Sequence, residues 1–565
     1  MTMIINNKLT PDGTNDKLFE QCAVETEISG RLASLFEESG YRKVRTPGLE
    51  FLSSFAASTS FYPPEEMYKL SDSEGRLIAI RPDSTIPIAR LTATKLKNEP
   101  MPLRLYYAQS VYRRQPEHRG RDCEILQMGV ELIGEAGFSA DTSMVVLAVK
   151  SLEAVYRGRF RVEIGHVGLY KRLMERLGGG EELMNRIHRY VSAKNYSALE
   201  DALESALVAN EKADIKKTAE LILRLPGLFG GVEALDEATA LFEGYDDEIK
   251  GMLDYLARVL KEMADLGYQD SVMIDLGLVG QADYYSSLVF KGYGESAGEP
   301  LLSGGRYDSL LGDFGEDLPA TGFGINIDLL TEAALEDGSN GAANGLTAEA
   351  DGSYRERPLR IALAKGRLEE DFISLMEKAG YDMTPLREKG RKLIIGIDGL
   401  EGKGAMEIFL AKSPDVVTSV EHGVCDVGIV GKDTLLEHGG TYYEILDLEL
   451  GKCSFALAAP SGSPVANGAS PKVAASKYPT YAGSYFERLG LDVRIIRIEG
   501  SVELAPLIGL SDCIVDLVES GTTLRENGLE VVAWIRDISA RMIVNVTGMK
   551  LRKREIEELA GRLKR

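Results

Sequence analysis

CIVDLVESGTTLRENG, residues 513–528, reads as a short strand, a small polar loop and the start of a helix. Ile514, Val515, Leu517 and Val518 make an apolar, partly β-branched run of the length expected of a buried strand. Glu519, Ser520, Gly521, Thr522 and Thr523 follow, before the helix-forming Leu524, Arg525 and Glu526. Such a loop gathers backbone N–H groups and the positive end of a helix dipole around one point. The hydroxyls of Ser520, Thr522 and Thr523 add donors, so the point suits a phosphate. Asp516, toward the strand's end, is placed to take sugar hydroxyls or a metal. An ordinary strand-to-helix turn with threonine caps is the plainer alternative.

Working outward, Pro358 to Leu363 reads as another strand, followed by Lys365-Gly366-Arg367 and a helix from about Glu369 to Ala379. A helix over 419–423 precedes the strand Asp426 to Gly431 and then Lys432-Asp433. A second lobe is expected over about 453–532. Strands alternating with helices, and polar loops at strand ends, predict a parallel-sheet α/β fold whose ligands gather at the carboxyl edges. Upstream, residues 336–357 are rich in Gly, Asn, Ala and Ser and read as a flexible linker, within a boundary zone of 333–357.

The chain has 565 residues, enough for three or four units with real cores. Its 44% hydrophobic and 27% charged composition is that of a globular protein. No run is apolar for long enough to cross a bilayer and no signal peptide is indicated, so a cytoplasmic protein without membrane contact is expected. The net charge of −22 argues against a general nucleic-acid surface. The five cysteines are scattered, which disfavours structural disulfides and a thiolate metal site.

N-terminal of the linker, a helix is expected from Asp12 to about Gly40, then strands at 40–47, 77–80 and 103–107, and a strand-loop-strand from Val111 to Gly134. Residues 169–266 read as a helical insertion. Here the sequence becomes specific. GYRKVRTPGLE (40–50) resembles motif 1 of the class II aminoacyl-tRNA synthetases, and YRRQPEHRGRDCEILQMGVELIG (112–134) resembles motif 2 of histidyl-tRNA synthetase. ADYYSSLVF (282–290) and LSGGRYDSLLGDFGEDLPATGFGINIDLL (302–330) are similar to that enzyme's histidine-specific segments and motif 3. The resemblance implies an antiparallel sheet with helices and a histidine pocket. Asp83 and Thr85 would meet the ammonium and Arg113 the carboxylate, with Gln127, Glu131, Tyr284 and Tyr285 around the imidazole. It also implies a homo-oligomer.

Departures narrow this half's chemistry. Asp328 stands where a synthetase carries an arginine for the ATP phosphates, and Gly280 where it carries one for activating histidine. A linker follows motif 3 in place of an anticodon-binding domain. The pattern resembles the regulatory subunit of ATP phosphoribosyltransferase.

The blocks LRIALAKGRL, VEHGVCDVGIVGKDTLLE, LGKCSFALAAP, GSVELAPLIGLSDCIVDLVESGTTLRENGL and ISARMIVN resemble the catalytic ATP phosphoribosyltransferase in its short form, a two-lobed α/β fold like that of periplasmic binding proteins. The implied reaction joins ATP and phosphoribosyl pyrophosphate, with Mg²⁺ on the pyrophosphate, and histidine as effector. Glu519 to Thr523 would hold the 5′-phosphate and Asp516 the ribose hydroxyls. Lys365 and Arg367 would neutralise phosphates. Asp433, Ser501 and Glu503 belong to the same cleft. Two positions differ from these relatives: Thr480 to Ser484 replace an Asn followed by basic residues, and Lys412-Ser413 replaces Arg-Pro. A histidine-sensing scaffold without turnover and a histidyl-adenylate-forming enzyme are the alternatives.

Overall fold

The computed structural model describes residues 10–55, 67–114, 122–192, 195–209, 213–279, 284–295, 297–339, 357–400, 404–519 and 521–564. They form two compact units, one built from residues up to 339 and one from 357 onward.

The first unit is organised by a 9-stranded sheet, its central strands Leu103–Tyr112, Glu124–Ile133, Ala320–Asn326, Leu302–Arg306 and Leu288–Gly294 antiparallel to one another in that order, with the short edge strand Arg42–Lys43 parallel to Leu103–Tyr112. Alternation decides its two faces. Tyr106, Met128, Val130, Phe323 and Ile325 point one way and pack with Ile28, Leu32 and Phe36 of the helix Phe19–Glu38 and with Leu330 of the helix Ile327–Ser339. The opposite face carries Tyr107, Gln127, Glu131, Gly305, Gly322 and Gly324, as the register Gly322 opposite Glu131 and Gly305 opposite Gly322 requires. Helices Val167–Leu177, Glu181–Ser192, Tyr196–Ala209, Ala213–Arg224, Val232–Leu241 and Asp247–Asp265 fill the stretch expected as a helical insertion.

Several boundaries differ from the sequence expectation. The first helix starts at Phe19, not Asp12, because the preceding strap is held by other bonds: Gly13 O accepts from Cys123 N at 2.6 Å, and Lys17 pairs with Glu25 and Asp328. At the other end, residues 333–339 continue the helix Ile327–Ser339, since Leu330 and Ala333 still have a core to face. Residues 340–356, the rest of the expected linker, lie outside the described residues.

The second unit holds a 6-stranded and a 5-stranded sheet. In the first lobe, Leu359–Ala364 is parallel to both Met406–Ala411 and Val427–Gly431. In the second, Val473–Ser476 is parallel to Arg494–Arg497 and Cys513–Val518. The second lobe's last strand, Leu529–Ile538, runs past the expected limit at 532 before the chain returns to the first lobe as Ala540–Val544. The two crossing segments bond to each other, Leu448 N to Ala540 O at 3.0 Å and Ala540 N to Leu450 O at 2.9 Å. A single helix, Ser413–Glu421, replaces the shorter one expected at 419–423, with Pro414 in its first turn.

Buried Asp426 anchors this unit. It accepts both terminal nitrogens of Arg357 at 2.8 Å, Arg360 N at 2.9 Å and Arg552 Nη1 at 3.2 Å. Removing one partner of a buried ion pair strands the others, so Asp426→Ala is expected to destabilise the unit by about 3–5 kcal/mol. Urea unfolding followed by Trp534, the chain's one tryptophan, measures this. An unmoved midpoint would remove Asp426 from this role.

Candidate functional site

The polar face of the first unit's sheet forms a pocket floored by glycine. A Cβ at Gly322 would collide with the Glu131 carboxylate, one at Gly324 would sit 2.6 Å from Gln127 Nε2, and one at Gly305 would sit 2.9 Å from the Tyr285 ring. Glycine at these positions leaves the space in which the longer polar side chains stand.

Glu131 is fully buried. Thr85 Oγ1 donates to its Oε1 at 2.9 Å and Tyr307 OH donates to its Oε2. Asp83, also buried, accepts Ile86 N at 3.0 Å at the start of the helix Thr85–Thr94 and faces Tyr284 OH at 3.5 Å. Tyr107 OH donates to Gln127 Oε1 at 3.4 Å, and Arg113 is held by Pro82 O through Nε at 3.0 Å. The rings of Tyr284 and Tyr285 lie 5.0 Å apart, and that of Tyr307 lies 5.6 Å from Tyr284. The structure thus gathers Asp83, Thr85, Arg113, Gln127, Glu131, Tyr284 and Tyr285 around one pocket. Tyr107 and Tyr307, which hold Gln127 and Glu131, were missed. Their signal was the glycine alternation on the facing strands. Gly280 and residues 115–121 of the motif 2-like loop lie outside the described residues.

Burial dominates the electrostatics. It pushes Glu131 up to about 8, the neighbouring Asp83 charge adding to the effect and the two hydroxyl donors opposing it. Asp83 is raised by burial too, opposed in part by the Arg113 guanidinium. Buried acids whose described hydrogen bonds come from neutral donors suit a ligand that brings its own cation.

In the second unit, the expected ligands other than Asp516 follow the carboxyl ends of parallel strands. Lys365 and Arg367 follow Leu359–Ala364, Asp433 follows Val427–Gly431, Ser501 and Glu503 lie beyond Arg494–Arg497, and Glu519 to Thr523 follow Cys513–Val518. Ser520 lies outside the described residues. Asp516 sits within its strand rather than at the end, half-buried, accepting Leu517 N at 2.8 Å. Burial, with Glu503 nearby, pushes it up to about 6, and Lys477 opposes the shift. Gly521 caps the helix Thr522–Glu526 at φ +69, a left-handed conformation that suits glycine. Its missing Cβ would meet Arg525 Nη1 at 3.5 Å, so the loop has a guanidinium beside it that the sequence reading passed over.

One expected role changes. The Glu519 side chain turns to the first lobe, where its two carboxylate oxygens accept from Arg367 Nη1, each at 2.9 Å. The unusual Thr480-Tyr481 also finds a reason. Glu437, from the first-lobe helix Lys432–His438, accepts Thr480 N at 3.2 Å, Thr480 Oγ1 at 3.0 Å and Tyr481 N at 3.1 Å, capping the second-lobe helix Pro479–Arg488. Beside it Tyr478 OH donates to Asp433 Oδ2 at 3.0 Å.

Fold and pocket together define a class II synthetase-like unit followed by a two-lobed α/β transferase unit. A family model for histidyl-tRNA synthetase matches residues 13–330, and one for ATP phosphoribosyltransferase matches residues 412–565. The ATP phosphoribosyltransferase regulatory subunit of Clostridium botulinum (strain 657 / Type Ba4) is 37% identical over 322 residues, 57% of this chain and 75% of that protein. The regulatory subunit of Bacillus cereus (strain G9842) is 37% identical over 330 residues, 58% of this chain and 76% of that protein. A solved structure of an ATP phosphoribosyltransferase regulatory subunit/histidyl-tRNA synthetase from Bacillus halodurans C matches with a TM-score of 0.52 at 30% identity, covering 72% of this chain and 93% of that one.

The chain therefore belongs to the histidyl-tRNA synthetase family through its ATP phosphoribosyltransferase regulatory-subunit-like N-terminal region, and it carries an ATP phosphoribosyltransferase domain, that of a pentosyl-transferring enzyme, at its C-terminal end. Among the described residues, no helix is long and apolar enough to cross a membrane.

The buried acid sets a pH dependence. Between about pH 5 and pH 8 the folded protein keeps on Glu131 a proton that the unfolded chain has released, so the stability of the first unit falls as pH rises through that range. Scanning calorimetry from pH 6 to pH 8 is expected to show the fall in wild type and a flatter profile in Glu131→Gln; parallel profiles would contradict the assignment.

Proposed function

We propose that this chain converts ATP and phosphoribosyl pyrophosphate to phosphoribosyl-ATP and pyrophosphate, and that histidine bound in the first unit regulates the reaction. The observation that carries the reading is that Lys365, Arg367, Asp433, Glu503, Glu519, Thr522 and Thr523 follow the carboxyl ends of parallel strands in two lobes, with Asp516 inside one of those strands, at the edge where α/β proteins bind ligands.

The chemistry needs no covalent enzyme nucleophile. Adenine N1 forms its bond to the anomeric carbon as the bond to pyrophosphate breaks, with positive charge on the sugar ring. Catalysis is then alignment of the two substrates and compensation of charge on the leaving group. The backbone N–H groups and hydroxyls of Thr522 and Thr523, beside Arg525, suit the 5′-phosphate. Asp516 suits the ribose hydroxyls, and Lys365 and Arg367 suit the leaving pyrophosphate. Mg²⁺ enters on phosphoribosyl pyrophosphate, as part of the substrate.

For the regulatory pocket, Asp83 and Glu131 suit the cationic groups of histidine and Arg113 its carboxylate. Regulation follows if histidine binds the states of the chain with different affinities. Histidyl-adenylate formation is disfavoured by Asp328, whose carboxylate takes Lys17 and accepts Leu126 N at 2.7 Å where a synthetase would present an arginine to phosphate.

Two measurements test the proposal. Near-ultraviolet absorbance should rise as wild type turns ATP and phosphoribosyl pyrophosphate into phosphoribosyl-ATP with Mg²⁺ present, and no product from the folded chain would favour a sensing scaffold. Calorimetric titration of histidine should show Arg113→Ala binding about tenfold or more weakly, the scale of one charge-assisted contact. Equal binding by the two would remove Arg113 from the pocket.

A further inference from the structure

Two ties of different character join the lobes of the second unit. One is built from Glu437 on Thr480 and Tyr481, with Tyr478 on Asp433; it includes a buried tyrosine packed edge-on against Phe455 at 5.1 Å. The other joins Arg367 to Glu519 in the open, their side chains 67% and 59% exposed. Its two ends are expected ligands of the same substrate.

The geometry of that second tie is telling. A guanidinium meets a carboxylate best through two parallel N–H bonds from two nitrogens. Here one nitrogen, Nη1, serves both oxygens at 2.9 Å. Exposure weakens the pair further, because water competes and salt screens it. Each partner also projects from a turn next to a left-handed glycine: Gly366 at φ +102 precedes Arg367, and Gly521 at φ +69 lies two residues past Glu519. The pair holds an anion on the arginine while remaining easy to exchange.

Resting on the transferase reading, we propose that Glu519 is an internal stand-in for substrate phosphate: it occupies Arg367, and the pyrophosphate group must displace it to bind. Glu519 thereby lowers the affinity of the cleft for pyrophosphate and ties pyrophosphate binding to release of the interlobe contact. The Glu437 and Tyr478 tie keeps the lobes in register while the exposed pair exchanges.

The test is calorimetric titration of magnesium pyrophosphate into the full chain. Glu519→Gln keeps the shape of the side chain and removes its charge, and is expected to bind about three- to tenfold more tightly, because the fraction of chains with Arg367 available rises. Arg367→Ala should bind more weakly than wild type, and adding Glu519→Gln to it should change nothing further, since the competitor then has nothing to hold. Weaker or unchanged binding by Glu519→Gln, with an unaltered urea midpoint by Trp534 fluorescence, overturns the proposal. So does a tightening that persists without Arg367, or wild type that binds no magnesium pyrophosphate. The transferase reading fails separately, through absence of phosphoribosyl-ATP from a chain that still shows this binding pattern.

Discussion

A buried carboxylate with cations around it fixes the frame of the second unit. Asp426 is 2% exposed, a position a charge holds only when it is paired and hydrogen-bonded. Its donors come from far apart in sequence: Arg357 just before the first strand, the amide of Arg360 in that strand, and Arg552 near the last helix. Its own carbonyl accepts Asn545 N at 2.8 Å, and Glu555 takes the second charge-bearing edge of Arg552 at 2.6 Å. Satisfying one anion thus sets the strands Leu359–Ala364 and Val427–Gly431 side by side and in the same direction. Lys365 and Asp433 must then leave from the same edge, and the cleft follows from the frame.

Glu131 in the first unit solves the opposite problem. Its described hydrogen-bond donors are hydroxyls, from Thr85 and Tyr307, with no cation bonded to it, and burial keeps a proton on it into the neutral range. A protonated carboxyl can both donate and accept, so it suits a ring nitrogen of either kind. The glycines opposite are part of the same arrangement, since Gly322 is paired with Glu131 in the ladder and any Cβ there would take the carboxylate's place. One sheet therefore serves two ends: large apolar side chains on the face against the helices, and glycine with polar groups on the face that forms the pocket.

What the sequence revealed follows the range of the forces involved. The loop at 519–523 and the strand before it were legible because local chemistry specifies them: β-branched residues, then glycine at a positive φ, then threonines at a helix start. The pocket residues were legible only through ordered blocks of resemblance, because Asp83, Glu131 and Tyr284 come from distant segments that share no local signal. Long-range bonds were not legible at all. Nothing near Lys17 marks it as a partner of Asp328, so the helical pattern reads back to Asp12, whereas tertiary contacts hold residues 12–18 outside the helix. Thr480 and Tyr481 likewise looked like lost basic residues until Glu437 was seen to cap their helix from the other lobe.

Asp328 shows how one charge reversal propagates. At the first turn of the helix Ile327–Ser339 an acidic side chain is favoured by the exposed N–H groups, and here it also accepts the amide of Leu126 and the ammonium of Lys17. Lys17 is shared with Glu25 at 2.7 Å, so the strap before the first helix is bound to the place where a synthetase would present positive charge to a phosphate. A triphosphate arriving there would meet a carboxylate already neutralised by an internal cation and would have to break that pair to gain a contact. The hydrogen bonds described for Asp83 and Glu131 come instead from neutral donors: the amide of Ile86 and the hydroxyls of Tyr284, Thr85 and Tyr307. If this unit binds histidine as proposed, amino-acid binding and nucleotide-phosphate binding are separated in it by the sign of one residue. On the proposed reading, that separation suits a sensing role and opposes an adenylating one.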